Sequence, residues 1–100
     1  MSDGADLTIS SYLNKFNLNG LLAYPNPGKI NHPVRFELIN PIEGQYNVRI
    51  LSSSGQSVYE GNKTFSPTYY QWEYTFTIPG HYTVVFTLGD QQFIETIIAK

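Results

Sequence analysis

Residues 45–51 read Gln-Tyr-Asn-Val-Arg-Ile-Leu, with Tyr46, Val48 and Ile50 alternating against Asn47 and Arg49. Successive side chains of an extended chain point to opposite faces, so this is the period of a half-buried strand; a helix would need apolar spacings of three and four. The same period lies upstream in "VRFELI", where Val34, Phe36 and Leu38 alternate with Arg35 and Glu37. Downstream, "SSSG" at 52–55 turns the chain into "QSVYEG", which predicts a hairpin.

The pattern continues to the end of the chain. "YYQWEYTF" sets Tyr70, Trp72, Tyr74 and Phe76 on one face and Gln71, Glu73 and Thr75 on the other. "GHYTVVFTL" and "QFIETIIA" are joined by Gly89-Asp90, a linkage suited to a primed hairpin turn. Short strands with turn signals about every 8 to 12 residues predict an all-β, immunoglobulin-like antiparallel sandwich of about seven strands over residues 21–100. Residues 1–20 read as a lead-in or linker with one candidate strand, "LTISSYL" from Leu7 to Leu13, before an Asn-rich turn. No helix of credible length, internal repeat or low-complexity tract is expected.

Composition narrows the function. The chain of 100 residues is 41% hydrophobic and 15% aromatic, which suits one domain with a real core. Its net charge of -2, with six Lys and Arg scattered singly, gives no footprint for nucleic acid or anionic lipid. No window approaches the roughly 18 apolar residues of a membrane span, so no membrane insertion is expected. The absence of cysteine removes disulfides, thiol catalysis and thiolate metal sites. "MSDGADLTIS" has neither a basic start nor a continuous apolar stretch, so no signal peptide is expected in it.

One stretch interrupts the alternation: Ala23-Tyr24-Pro25-Asn26-Pro27-Gly28-Lys29. Its two prolines fix φ and withhold two ladder donors, and they bias Tyr24 and Asn26 toward extended geometry. The order of Tyr24-Pro25-Asn26-Pro27, "VRFEL", "YNVRILSSSGQSVYEG", Gly80-His81-Tyr82 and a closing "FIETIIAK" resembles the type A C-terminal sorting domain of the Bacteroidetes type IX secretion system. The resemblance covers about residues 22–100. It departs from the family pattern at Ile78-Pro79-Gly80, one residue short, and at Glu95, where a basic residue is usual. The resemblance implies that Tyr24, Pro25, Asn26, Pro27, Gly55, Gly80, Tyr82 and Lys100 hold the motif positions. It also implies a non-enzymatic sorting signal that follows an N-terminal cargo domain and is recognised by outer-membrane secretion machinery. The cargo would pass through the periplasm and be released or attached at the cell surface.

Each feature also has a structural reading. Pro25 and Pro27 protect a sheet edge, Gly80 supplies a positive-φ turn, and Tyr82 packs its ring inward with its hydroxyl on a backbone partner. Tyr70, Trp72 and Tyr74 would be a stacking platform if exposed, making the domain an adhesion module for glycan or protein; at strand period they read as core, and burial of Trp72 decides. His32 and His81 lie far apart with no carboxylate spacing of a metal pattern. No catalytic constellation or cofactor motif is present, and the Asn62-Lys63-Thr64 sequon is too short to carry weight.

Overall fold

The alternation becomes burial strand by strand in the computed structural model, which describes residues 20–100. The lead-in expected over residues 1–20, with its candidate strand at Leu7–Leu13, lies outside the described residues except for Gly20. The strands are β1 Gly20–Tyr24, β2 Pro33–Ile39, β3 Gly44–Ser52, β4 Ser57–Phe65, β5 Gln71–Thr75, β6 Gly80–Leu88 and β7 Gln91–Ala99. Val34, Phe36 and Leu38 of β2 face Tyr46, Val48 and Ile50 of β3 and Val84 and Phe86 of β6 in one apolar cluster. Phe36, Tyr46, Val48, Ile50 and Val84 have no exposed surface at all. Each such apolar side chain contributes about 1.5–3 kcal/mol by leaving water.

Two antiparallel sheets enclose this core, with strand orders β1-β2-β5 and β4-β3-β6-β7. The arrangement is an immunoglobulin-like sandwich in which β4 pairs with β3, whereas constant-type immunoglobulin domains place the fourth strand beside the fifth. The short "SSSG" turn dictates that choice, because a tight hairpin leaves β4 no neighbour but β3. Ser52 and Gly55 close the turn through a 2.9 Å bond, and Gly55 takes φ 87°, the left-handed region that a side chain disfavours. The β6·β7 hairpin turns at Gly89-Asp90 as expected, with positive φ (57°) at Gly89 alone of the two.

Two expectations are corrected, and the last strand's inner face is settled. Gly80 is not a positive-φ turn: the positive-φ glycines among the described residues are Gly55 and Gly89, and Gly80 is the first residue of β6, paired with Ala99. On the last strand the inward set is Phe93, Glu95, Ile97 and Ala99, so Ile94 is 56% exposed and Ile98 only half-buried. Lastly, the sequence does hold a short repeat. Ile42-Glu43-Gly44-Gln45-Tyr46 and Ile78-Pro79-Gly80-His81-Tyr82 share the pattern Ile-x-Gly-x-Tyr, and they launch the two central strands of the four-stranded sheet. Tyr46 Oη donates to the Ile42 carbonyl at 2.6 Å, and Tyr82 Oη donates to the Ile78 carbonyl at 2.6 Å. The tyrosine corner of immunoglobulin domains lies at the start of their sixth strand, the place of Tyr82. Burial pushes the Tyr46 hydroxyl above its ordinary pKa. In the second corner the Tyr82 ring lies over Gly80, where an added Cβ would meet it at 3.7–3.8 Å. That is ordinary van der Waals contact, so neither turn geometry nor the ring requires a glycine here.

The two open sides of the sandwich close differently. Beside β1 and β7 the chain supplies hydrogen bonds; beside β4 and β5, among the described residues, only side chains meet. There Trp72 packs on Tyr59 with centroids 5.2 Å apart and on Phe36 at 5.6 Å, while Lys63 Nζ stands 5.8 Å from both the Tyr59 and the Trp72 ring centres.

Candidate functional site

The segment between β1 and β2 leaves the three-stranded sheet and runs along the outer edge of β7. Gly28 N–H donates to the Ile98 carbonyl (2.7 Å), Lys100 N–H to the Gly28 carbonyl (2.9 Å) and Ile30 N–H to the Lys100 carbonyl (3.0 Å). Gly28 and Ala99 thus form an isolated parallel bridge. The backbone comes so near that a Cβ on Gly28 would sit 2.6 Å from Val34 Cγ2, closer than atoms tolerate.

This ladder should fail at the prolines, since neither Pro25 nor Pro27 has an N–H to give. The peptide bonds preceding both are cis. Asn26 fills the gap with its side chain. Its Nδ2 donates to the Thr96 carbonyl at 2.9 Å, and its Oδ1 accepts from Ile98 N–H at 3.1 Å. A carboxamide carries the donor and acceptor of a peptide group at the same spacing, so Asn26 acts as a spare peptide unit between two residues that lack one. The chemistry accounts for asparagine between the prolines: aspartate would lose the donor, and leucine both groups.

Tyr24, at the head of the segment, donates from Oη to Glu37 Oε1 at 2.7 Å. That bond, then desolvation, raises the tyrosine's pKa above its ordinary value. Next to it Arg35 and Glu73 form an exposed ion pair at 3.1 Å.

The other expected motif positions gather around the same end. Gly80 pairs with Ala99 on the side of β7 opposite the clasp, and Asn31 N–H donates to the Phe76 carbonyl at 2.7 Å just ahead of the second tyrosine corner. Ser52, where the turn containing Gly55 starts, pairs with Tyr82. Residues separated by most of the chain therefore share one end of the sandwich: the clasp from Tyr24 to Pro27, the Gly55 turn, the Gly80 and Tyr82 corner, and Lys100.

Beside the corner, Val58, Tyr74, Phe76, Ile78 and Tyr82, with Ser52, Gln56, Ser57 and Thr77, line a cleft of about 340 Å³ that carries no charged residue. Val58 (43% exposed) and Ile78 (67% exposed) form apolar parts of its wall. Sequence reasoning missed Asn26's bonding, the first corner at Tyr46 and Ile78. Only the corner had a local signal, the repeated Ile-x-Gly-x-Tyr.

The aromatic row runs from the core to this cleft, which Tyr74 and Phe76 also line. Tyr70, Trp72 and Tyr74 are half-buried and packed against the core, and Phe76 is buried. Trp72 is ringed by Phe36, Tyr59, Tyr74 and Phe86, with Lys63 over it, and with Tyr69 and Tyr70 it borders a cleft of about 420 Å³. Burial, then the nearby Tyr82 and Tyr59, raises the Tyr74 pKa. His32 Nδ1 lies 3.1 Å from the Ile30 carbonyl, and no cluster of three His, Cys, Asp or Glu side chains suited to a metal occurs among the described residues.

Comparison with protein-family models gave no match, and comparison with curated proteins gave none either.

Proposed function

We propose that this domain is a sorting signal of the type IX kind: a folded β-sandwich whose motif-bearing end is recognised by outer-membrane secretion machinery, which carries the attached N-terminal cargo from the periplasm to the surface or medium. One observation carries the reading. The residues that hold the resembled motifs, scattered from Tyr24 to Lys100, converge on one end of the fold beside an uncharged cleft. Shape complementarity around an apolar anchor is how such a surface binds a protein partner. Tyr24, Pro25, Asn26, Pro27, Gly55, Gly80, Tyr82 and Lys100 act by building that end, and Ile78 and Val58 are its apolar contacts.

The test fuses a reporter ahead of residues 1–100, with a periplasmic signal, in a bacterium competent for type IX secretion. The intact fusion should reach the surface or medium, and deletion of residues 93–100, which removes the ladder partner of β6, should leave it in the periplasm. Ile78→Asp separates folding from recognition: the side chain is 67% exposed, so the fold should survive while export falls. Periplasmic retention of the intact fusion, in a strain that exports its own cargo, would overturn the assignment.

A further inference from the structure

Among the described residues, β4 is the longest of the four sheet edges left open. β1 and β5 are five-residue strands, and β7 is covered by the clasp from Thr96 onward. β4 spans nine residues, Ser57–Phe65, with no proline. Ile98 turns its N–H and carbonyl away from β6, and antiparallel pairs alternate between bonded and non-bonded. Carried through the registers of β7, β6 and β3, the alternation leaves Glu60, Asn62 and Thr64 of β4 with their N–H and carbonyl groups directed outward. Among the described residues, no hydrogen bond to these main-chain groups is found. Open edges of this kind are templates for another strand.

We propose that the occupant is a second copy of this chain, paired β4 to β4 in antiparallel sense about a two-fold axis at Gly61. Only an axis on a residue keeps inward side chains opposite inward ones, and the charges then select which residue. An axis at Glu60 sets that carboxylate opposite its own copy, and an axis at Lys63 does the same for two ammonium groups; like charges directly opposed are unfavourable. An axis at Gly61 pairs the whole strand. Glu60 then faces Asn62 of the second copy, a carboxylate against an amide donor. Lys63 faces Tyr59 of the second copy, repeating across the axis the cation-to-ring contact it already makes at 5.8 Å within the chain. Glu60 and Asn62 with their counterparts exchange about four main-chain hydrogen bonds. At the axis the missing Cβ of Gly61 lets the strands approach, and the Tyr59 hydroxyl, 2.7 Å from where that Cβ would stand, fills the space. The result is one eight-stranded sheet across two molecules, closed point symmetry of the commonest kind. It does not depend on the sorting reading.

Sedimentation equilibrium on residues 1–100, from about 5 µM to about 1 mM, measures it. A reversible monomer–dimer equilibrium is expected. Asn62→Pro removes an outward N–H that no bond within the chain uses, so it should abolish the dimer while circular dichroism shows the same sheet content. Register is tested by charge: Asn62→Lys, opposite Glu60 of the second copy, should tighten dimerisation at least threefold, and Asn62→Glu should weaken it by as much. A monomer at every concentration would overturn the proposal, leaving the edge to a strand from a different protein. A dimer indifferent to all three substitutions would overturn it equally, because the contact would lie elsewhere.

Discussion

Asn26→Ala tests whether the clasp is held by the side chain or merely accompanied by it. The substitution deletes the bonds to the Thr96 carbonyl and from Ile98 N–H and leaves the Gly28, Ile30 and Lys100 ladder intact. A typical intramolecular hydrogen bond is worth about 0.5–1.5 kcal/mol net, so two give about 1–3. Both are solvent-accessible, and water can serve Ile98 and Thr96 once the amide is gone, which places the loss at about 1–2 kcal/mol. For a domain of this size each kcal/mol lowers Tm by about 4–8 °C, so calorimetry should find a drop of about 4–16 °C. Amide exchange at Ile98 should quicken in step. Asn26→Asp sharpens the test. At neutral pH it keeps an acceptor for Ile98 but brings a carboxylate against the Thr96 carbonyl, so it should cost at least as much as alanine. Below a carboxyl pKa of about 3.9 the protonated group regains a donor and part of the loss should return, relative to the parent at the same pH. A Tm change under about 1 °C for Asn26→Ala, with Ile98 exchange unaltered, would show that the prolines and the Gly28, Ile30 and Lys100 ladder hold the segment without the side chain.

Two further outcomes follow from the buried corners and from the inward glutamate. Tyr82→Phe and Tyr46→Phe keep each ring and remove one bond to a carbonyl, so chemical denaturation should show each losing about 1–2 kcal/mol, while Tyr82→Ala should lose about 3–5; a Tyr→Phe cost near zero in both would reduce the repeated corner to a packing coincidence. Partial burial raises the Glu95 pKa, against a smaller opposing backbone bond at Thr96. A folded-state pKa above the unfolded one means stability that is full below the unfolded value and lost as pH rises through the folded one. Melts of Glu95→Gln should therefore exceed those of the parent at pH 7 and converge with them toward pH 4; a pH-independent difference would contradict this.

Legibility in the sequence followed the range of the interactions. Period two is local, so β2 and β3 and their inward residues could be read directly, and the left-handed Gly55 turn announced β4. On β7 the period failed as a guide because Ile94, Ile97 and Ile98 are apolar on both faces, and which face is inner was settled by pairing with β6 rather than by composition. Gly80 was misread because a glycine that begins a strand and one needed for a turn look alike in a string. The clasp left no trace in the sequence as bonding. Asn26 meets Ile98 across 72 positions, and nothing near either residue names the other. The Tyr46 and Tyr82 corners were available to inspection: a repeated five-residue pattern placing hydroxyl and carbonyl four residues apart is a local statement.

The closure of β7 by the clasp orders events in time. Its donors and acceptors lie at residues 26–30 and 96–100, so every one of its bonds joins an early part of the chain to a late one. During synthesis the β2 and β3 segments and the β3·β4 hairpin can form while residues 96–100 are still within the ribosome, but the edge of the four-stranded sheet cannot be sealed. Non-local pairings of this kind come late and slow the overall rate, and strand edges left waiting are where chains associate wrongly. Until Lys100 docks between Gly28 and Ile30 the four-stranded sheet has an unfinished border, so the clasp is the seam that closes it.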